Sequence, residues 1–345
     1  MSTRTPAKQQ FKPIYRQQLS EYITGLAWSG GNLAIITAAG ELAVWQEEKL
    51  NLLISSSSYS FNCLGFCRNG KHLAVAGQKG EVQIWQNAEN IFKFVTTINN
   101  KKAWIDSLAW NPQQNLLAFA VNRQVRIWDA DRQKTIANLN FQNSSIFNLA
   151  WHPQGNLLAA SGHGGVKIWH SYDWTQQPNL LQVPGASLDC AWSFDGKYLA
   201  SGNLDRTISL LHWDNPPPWL MQGFPGKVSR VTWSRDADKP LLAAACQEGI
   251  SVWRYQQNQW HSYVLHHEKA VKAIVFSPNS VLASAGDDNY IRLWQGRKTI
   301  QSLNEVNNGF SCLAWHPTGK YLAAGGQNGE LIIWQQSTSG KGFGH

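Results

Sequence analysis

The feature that most constrains the fold of this chain is a short apolar segment ending in tryptophan, which recurs along most of its length. Such segments, for example LAVW, VQIW, VRIW and IRLW, end at Trp45, Trp85, Trp128, Trp169, Trp253, Trp294 and Trp334. Neighbouring segments are 40 to 43 residues apart, except for a gap of 84 residues before Trp253. That gap contains DRTISLL (205–211), which has Leu211 at the expected tryptophan position. The spacing therefore indicates eight repeat units.

A second marker lies about seventeen residues before each of these positions and gives the same number of units. It is an apolar segment with a terminal aromatic residue, found at Trp28, Phe66, Trp110, Trp151, Trp192, Trp233, Phe276 and Trp315. A turn such as HPQGN (152–156) or HPTGK (316–320) follows the aromatic residue, because Pro and Gly favour tight reversals. A small-residue strand, a further turn and the strand ending in tryptophan complete the pattern, with a more variable fourth strand before the next unit.

These strands alternate only weakly between polar and apolar residues, which is typical of a sheet that is covered on both faces. Four-stranded units that repeat at about 40–45 residues are typical of β-propellers. The sequence thus predicts an all-β protein with a single eight-bladed propeller of four-stranded antiparallel blades over residues 11–335. PIYRQQL (13–19) is expected to supply the outer strand of the last blade and so hide an open sheet edge. Residues 1–10 are expected to form a flexible basic tail, and residues 336–345 a second flexible tail.

The pattern resembles the WD-repeat (Trp-Asp repeat) family over about residues 11 to 335. The seventh unit comes closest, since Ser277-Pro278 gives the family's turn. The resemblance implies a hydrogen-bonded structural set of His267, Ser284, Asp288 and Trp294 in that unit. Other units depart from the family pattern, because Trp-Asp occurs in register only at Trp128-Asp129.

Composition places limits on the cellular setting. Hydrophobic residues make up 43% of the chain and charged residues 15%, so a large core can be buried. Five cysteines do not make a disulfide framework, and the start, MSTRTPAKQQF, lacks the apolar region of a secretory signal. No apolar run reaches the roughly 18 residues of a membrane span. We therefore expect a cytoplasmic protein, with a monomer favoured, whose net charge of +8 favours acidic partners.

No motif specifies catalysis, and we expect no metal and no cofactor. His152 and His316 occupy matching turns of different units, which favours a repeated turn over a shared metal ion. Cys63 and Cys67 are four residues apart on or just past a strand, a span of roughly 13 Å that is too long for one ion. Neither a Gly-x-Ser-x-Gly elbow nor a phosphate-binding Gly-rich loop is present.

The family resemblance also implies a partner-binding face, formed by the loops that enter each innermost strand. On this chain it includes Tyr22, Tyr59, Trp104, Phe147, Lys227, Arg230, Lys269, Lys272 and Phe310. Aromatic residues and Arg dominate interface energetics. For Phe147 and Phe310 the alternative is that they plug the ends of their blades. A second surface is the Pro-rich insert 214–227, which either presents a docking segment or only connects two strands.

Three functional hypotheses follow. The leading one is a non-catalytic protein–protein interaction scaffold, with assistance in the assembly of a multiprotein complex as one role, and it depends partly on family analogy. The second is nucleic-acid binding through a basic face, against which the basic residues are dispersed. The third is an enzyme with its site at the channel mouth, which would need an acid, a base and a nucleophile to converge from several blades.

Overall fold

A computed structural model describes residues 9–142 and 144–338 of the chain, and its secondary structure is built from thirty β-strands. Most of each segment expected to be a tail, 1–8 and 339–345, lies outside the described residues. The first strand is β1 (Gln9–Gln18).

The strands are as follows in chain order. The first sheet contains β2 (Ile23–Ser29), β3 (Asn32–Thr37), β4 (Leu42–Gln46) and β5 (Lys49–Ile54). The second sheet contains β6 (Phe61–Phe66), β7 (His72–Gly77), β8 (Glu81–Ala88) and β9 (Ile91–Asn99). The third sheet contains β10 (Leu108–Trp110), β11 (Leu116–Val121), β12 (Gln124–Asp129) and β13 (Lys134–Asn140). The fourth contains β14 (Ile146–Trp151), β15 (Leu157–His170), β16 (Asn179–Trp192), β17 (Tyr198–Asn203), β18 (Ile208–His212), β19 (Trp219–Met221). The fifth sheet contains β20 (Arg230–Trp233), β21 (Leu241–Cys246), β22 (Gly249–Gln256) and β23 (Gln259–His266). The sixth sheet contains β24 (Val271–Phe276), β25 (Leu282–Gly286), β26 (Ile291–Gln295) and β27 (Lys298–Leu303). The last sheet contains β28 (Phe310–Trp315), β29 (Tyr321–Gly326), β30 (Glu330–Thr338) and β1.

The prediction of eight separate four-stranded blades is wrong. The described part of the chain forms a propeller of seven antiparallel hydrogen-bonded sheets, six with four strands and one with six. The fourth and fifth repeat units share the six-stranded sheet, because β16 continues through a point where the sequence pattern predicts a break: its first half pairs with β15 of the fourth unit and its second half with β17 of the fifth. In β15 the chain reverses at Gly164 (φ +83°) and Gly165 (φ +131°), and the N–H of Ser171 donates to the carbonyl of Asn156 at 2.9 Å. These glycines adopt conformations that other residues rarely adopt, so strand pairing is retained across the turn.

The two ends of the ring are joined by β1, which pairs antiparallel with β30 as the outer strand of the last sheet. The sequence predicts this outer-strand position for residues 13–19. The side chain of Gln301 on β27 strengthens the join, since its amide accepts from the N–H of Phe11 and donates to its carbonyl, both at 2.8 Å. The closing strand is thus held by two neighbouring sheets.

The core lies between adjacent sheets, and the middle strands are buried on both faces. In β3, Leu33 and Ile35 pack towards the last sheet, where they meet Ile333. Ala34 and Ile36 point the other way and pack against the second sheet. Because successive side chains of a strand point to opposite faces, both sets of positions must be apolar.

The tryptophans at the ends of the inner strands also connect the sheets. Five of their indole N–H groups donate to a carbonyl of the preceding inner strand at 2.9–3.2 Å: Trp28 to Ala314, Trp110 to Gly65, Trp151 to Ala109, Trp233 to Ala191 and Trp315 to Val275. A buried tryptophan is well placed where its ring packs and its N–H finds an acceptor. These bonds give a physical reason for tryptophan at the ends of these five inner strands.

Candidate partner-binding face

The ring has two faces with different connections. We call the face that carries the loops entering each inner strand, together with the turns between second and third strands, the entry face. The inner-strand tryptophans and the turns that follow them lie on the opposite face. Binding residues are often carried by loops on a rigid scaffold, so the loop-rich entry face is where a partner is expected to bind.

Most inner strands begin on the entry face with a β-bulge, which redirects side chains and is frequent near functional sites. Register shifts mark it at Ile23/Gly25, Phe61/Cys63, Ile146/Asn148, Ser187/Asp189, Val271/Ala273 and Phe310/Cys312. Several bulged residues bond to the next sheet: Thr24 Oγ1 donates to the carbonyl of Phe61 at 2.6 Å, and Ser311 Oγ to that of Ile23 at 2.7 Å. The start of each of these inner strands is thereby fixed to its neighbour.

These hydrogen bonds between neighbouring inner strands form a belt around the entry face, and the belt also contains buried and half-buried polar side chains. Asn62 Nδ2 donates to Asp106 Oδ1 at 2.6 Å, and Asn148 Nδ2 donates to a carboxylate oxygen of Asp189. The N–H of Val231 donates to the other oxygen of Asp189 at 2.9 Å. Burial raises the pKa of Asp189 above its ordinary value, and the nearby Arg230 and these hydrogen bonds oppose that rise. A polar network whose members are satisfied in this way holds the face rigid.

Of the sequence-predicted aromatic residues, four lie exposed on the entry face: Tyr22, Tyr59, Trp104 and Phe147. Trp104 is the most exposed of them, at 61%. Each comes from a different unit of the ring, and Tyr and Trp are among the residue types enriched at binding hot spots.

Phe310 does not belong to this set, and its expected partner contact is wrong for this structure. Its side chain is fully buried, and its ring lies 6.4 Å from that of Trp334 between ring centroids. It packs in the core that also contains Phe11 from the closing strand. Phe310 therefore plugs the end of its unit, which is the alternative that the sequence leaves open.

The sequence-predicted cations Lys227, Arg230, Lys269 and Lys272 are exposed. Lys272 forms an ion pair with Asp287 at 3.1 Å, and Gln327 Nε2 donates to the same carboxylate at 2.6 Å. Burial raises the pKa of Tyr22, Asp287 adds to the rise and Arg230 opposes it. The charges of Asp287 and Arg230, from the seventh and sixth units, thus both affect the phenol of Tyr22.

The four side chains implied by the family resemblance in the seventh unit are hydrogen bonded to one another. His267 contacts both carboxylate oxygens of Asp288 at 3.0 Å and Ser284 Oγ at 2.7 Å, and Trp294 Nε1 donates to Ser284 Oγ at 2.8 Å. Burial alone would raise the pKa of Asp288, but hydrogen bonds from Arg292 and His267 lower it to about 2. Burial lowers the pKa of His267, so its imidazole is neutral at physiological pH.

The fifth unit, which lacks tryptophan in register, has a different buried network. Ser201 Oγ bonds to Ser187 Oγ and Asn203 Oδ1, both at 2.7 Å, and Asn203 Nδ2 donates to Thr207 and Ser209 at 3.0 and 3.1 Å. Repeat matching misses this set, because it is built from residue types that the family pattern does not contain. The Pro-rich insert contributes β19, and Trp219 packs into this unit's core.

The histidines considered for metal binding hold turns together. His316 Nε2 donates to the carbonyl of Gly30 at 2.8 Å, and His152 Nε2 to that of Gly196 at 3.1 Å, so each joins two neighbouring turns on the opposite face. Within residues 9–142 and 144–338, no group of three or more His, Cys, Asp or Glu side chains could hold a metal ion. That part of the chain also has no helix long and apolar enough to cross a membrane.

Comparison with known proteins identifies the family. Five segments, residues 92–129, 133–170, 183–213, 259–295 and 297–335, match the WD40 family (WD domain, G-beta repeat) and together cover more than half of the chain. The chain belongs to this family, which confirms the resemblance that the sequence shows.

Curated relatives match over less than half of the chain. The SEC13 homologue of Drosophila melanogaster is 24% identical over 45% of this chain and 53% of its own length. The B-type cell cycle switch protein ccs52B of Medicago truncatula is 29% identical over 44% of this chain and 32% of its own length. The nuclear distribution protein nudF of Emericella nidulans is 25% identical over 42% of this chain and 38% of its own length. The matched part thus spans about half or less of these relatives.

Two solved structures share the fold. Chaetomium thermophilum Sqt1, bound to the N-terminus of ribosomal protein L10, is 17% identical, with a TM-score of 0.82 over 94% of this chain and all of that chain. The computationally designed Ika8 protein is 19% identical, with a TM-score of 0.78 over 92% of this chain and 98% of its own. At these identities the likeness establishes the propeller architecture alone.

Proposed function

We propose that this protein is a non-catalytic interaction scaffold that binds other proteins through its entry face and assists assembly of a multiprotein complex. The observation that carries the proposal is the set of exposed aromatic and cationic side chains on that face, on loops fixed by the belt of hydrogen bonds. Preorganised anchors of this kind reduce the ordering cost of binding. Sqt1, which has the same fold, was crystallised with a protein segment bound.

The proposed setting is cytoplasmic. All five cysteines are free thiols, as expected for a reducing compartment. Burial raises the pKa of the Cys63 and Cys190 thiols well above the ordinary range and that of Cys312 to about 11. These three thiols therefore act as small apolar residues of the core rather than as nucleophiles.

Affinity capture tests the scaffold proposal. The intact protein, a Trp104→Ala/Arg230→Ala/Lys272→Ala variant and a matched control are each used to capture proteins from an extract of cells that make the protein. The control, Phe194→Ala/Arg235→Ala/Lys239→Ala, also loses one aromatic ring and two cations, but from exposed turns of the opposite face.

The proposal predicts a defined set of proteins that the control retains and the entry-face variant loses. If both variants retain the same set, the partner binds elsewhere and the assignment of the face is wrong. If the intact protein captures only nucleic acid, the scaffold function itself fails.

A further inference from the structure

A groove of about 650 Å³ opens on the entry face between the loop from β9 to β10 and the turn from β11 to β12. Lys101, Arg123 and Arg126 line it together with neutral residues such as Asn100 and Gln124, and no Asp or Glu lies among its described lining residues. The sequence-predicted partner residues do not include these three cations. Arg126 in particular lies on β12, within the segment VRIW, which reads as core strand.

Arg126 is held in place by a side chain that is itself fixed. Its Nη1 donates to Asn100 Oδ1 at 2.7 Å. Asn100 is buried, and its amide nitrogen donates to the carbonyls of Ile98 at 2.9 Å and Gly80 at 3.2 Å. The Nε of Arg126 is buried without a hydrogen-bond partner among the described residues. A guanidinium carries five N–H donors, so this fixed one retains donors for an anionic ligand.

The positive charge of the groove is not neutralised within the described part of the chain. Elsewhere on the entry face, Lys79 pairs with Glu81 and Lys272 with Asp287, both at 3.1 Å. Lys101, Arg123 and Arg126 form no ion pair with a described residue, and the adjacent Lys102 and Lys167 form none either. Among the described residues, the polar contacts of Lys167 Nζ are to neutral oxygens, of Asn140 and Gln142, at 3.4 Å. Such a concentration of one sign favours an anion.

Two features around the groove favour a short peptide over a long polyanion. Trp104 follows the lining residue Ala103 in the loop from β9 to β10, and Phe147 lies on β14 two residues after the lining residue Ser145; both rings are exposed and can pack apolar side chains. Towards the channel, the exposed Asp106 carries a carboxylate that would repel a continuing phosphate backbone. Negative side chains interspersed with apolar ones would match this arrangement, whereas a nucleic acid would need a longer basic track.

We propose that this groove binds an acidic segment of a partner protein, with a carboxylate of that segment held by Arg126 and Arg123 and an apolar side chain packed on Trp104. The inference rests on the proposed scaffold function and names the chemistry of one partner. Arg binds carboxylates bidentately, which gives the contact direction as well as strength.

Fluorescence anisotropy tests this assignment with a fluorescein-labelled peptide of glutamates that includes a leucine and a phenylalanine. A counterpart with glutamine at every glutamate and an oligothymidine of equal length serve as comparison probes. Each is titrated with the intact protein, with Arg123→Gln, with Arg126→Gln, and with Arg235→Gln as a matched control, since Arg235 is an exposed arginine of the opposite face. Arg123 is exposed, so its substitution tests the site even if Arg126→Gln lowers the melting temperature.

The proposal predicts binding of the acidic peptide at least about tenfold tighter than of its glutamine counterpart, and a loss of at least about tenfold in each Arg variant, as for charge-assisted hydrogen bonds. Arg235→Gln should stay within about twofold, because surface charges remote from a contact contribute little. Equal binding by all variants, no binding of the acidic peptide, or tighter binding of the oligothymidine would each overturn it. Failure here combined with successful face-dependent protein capture would leave the scaffold function standing.

Discussion

Closure of the ring by β1 can be tested at a single side chain, that of Phe11. Phe11 is buried, and its ring meets Trp315 edge-on with 5.3 Å between centroids. It belongs to the core shared by the last two sheets, which includes Leu322 and Trp334. Replacing a buried Phe by Ala costs about 3–5 kcal/mol, through lost burial and the cavity left behind.

The expected change in melting temperature follows from the size of the domain. With an unfolding entropy of about 2.1 cal/mol/K per residue over roughly 330 residues, a loss of about 4 kcal/mol lowers the melting temperature by about 6 °C. Ile14→Ala on the same strand is the control, since Ile14 is exposed and its loss should shift the melting temperature by less than about 1 °C. Circular dichroism or tryptophan fluorescence gives both values. Equal melting of Phe11→Ala and the unmodified protein would show that β1 does not close the ring as described.

Two further predictions concern buried polar groups. Ser284→Ala leaves Trp294 Nε1 and His267 Nε2 without a partner, so urea unfolding should show a loss of about 2–4 kcal/mol, against little change for the exposed Ser302→Ala. Equal stability of the two variants would mean that these hydrogen bonds do not stabilise the seventh unit. Burial lowers the pKa of four histidines, His72, His152, His267 and His316, below 6.5, so the unfolded state binds more protons than the folded state as the solution is acidified. The urea concentration at the unfolding midpoint should therefore be lower at pH 5.5 than at pH 7.5. Burial raises the pKa of Asp189, which acts with the opposite sign. The decrease of the urea midpoint on acidification should therefore be larger in Asp189→Asn than in the unmodified protein. A midpoint that is higher at pH 5.5 than at pH 7.5 in both proteins would contradict this account.

The repeat predicts the strands well, because each inner strand must carry apolar residues on both faces and end in an aromatic residue. The segments FNCLGF, IFNLAW and FSCLAW coincide with β6, β14 and β28. The joining of two units into one sheet was not predictable from periodicity. It depends on the continuation of β16 past Gly185 (φ +81°), where its pairing partner changes from β15 to β17.

The surface was harder to predict than the strands, since it depends on contacts between distant parts of the chain. Phe310 occupies an entry position like that of Phe147, but Trp334 and the closing strand bury it. Arg126 reads as part of a core strand, and only the fold of the loop containing Asn100 makes it a wall of a groove. Trp104, a sequence-predicted partner residue in the same loop as Asn100, was a sequence signal that pointed to this region.

Site-specific photo-crosslinking tests most directly whether the partner protein binds to the entry face. A photoreactive phenylalanine analogue replaces Trp104 or Tyr59 on the entry face, and Phe194 on the opposite face or Phe94 on the outer strand β9 as controls, all exposed positions. The account predicts discrete light-dependent adducts to the same partner protein from Trp104 and Tyr59, and none from Phe194 or Phe94. Adducts from Phe194 or Phe94 with none from the entry face would contradict it.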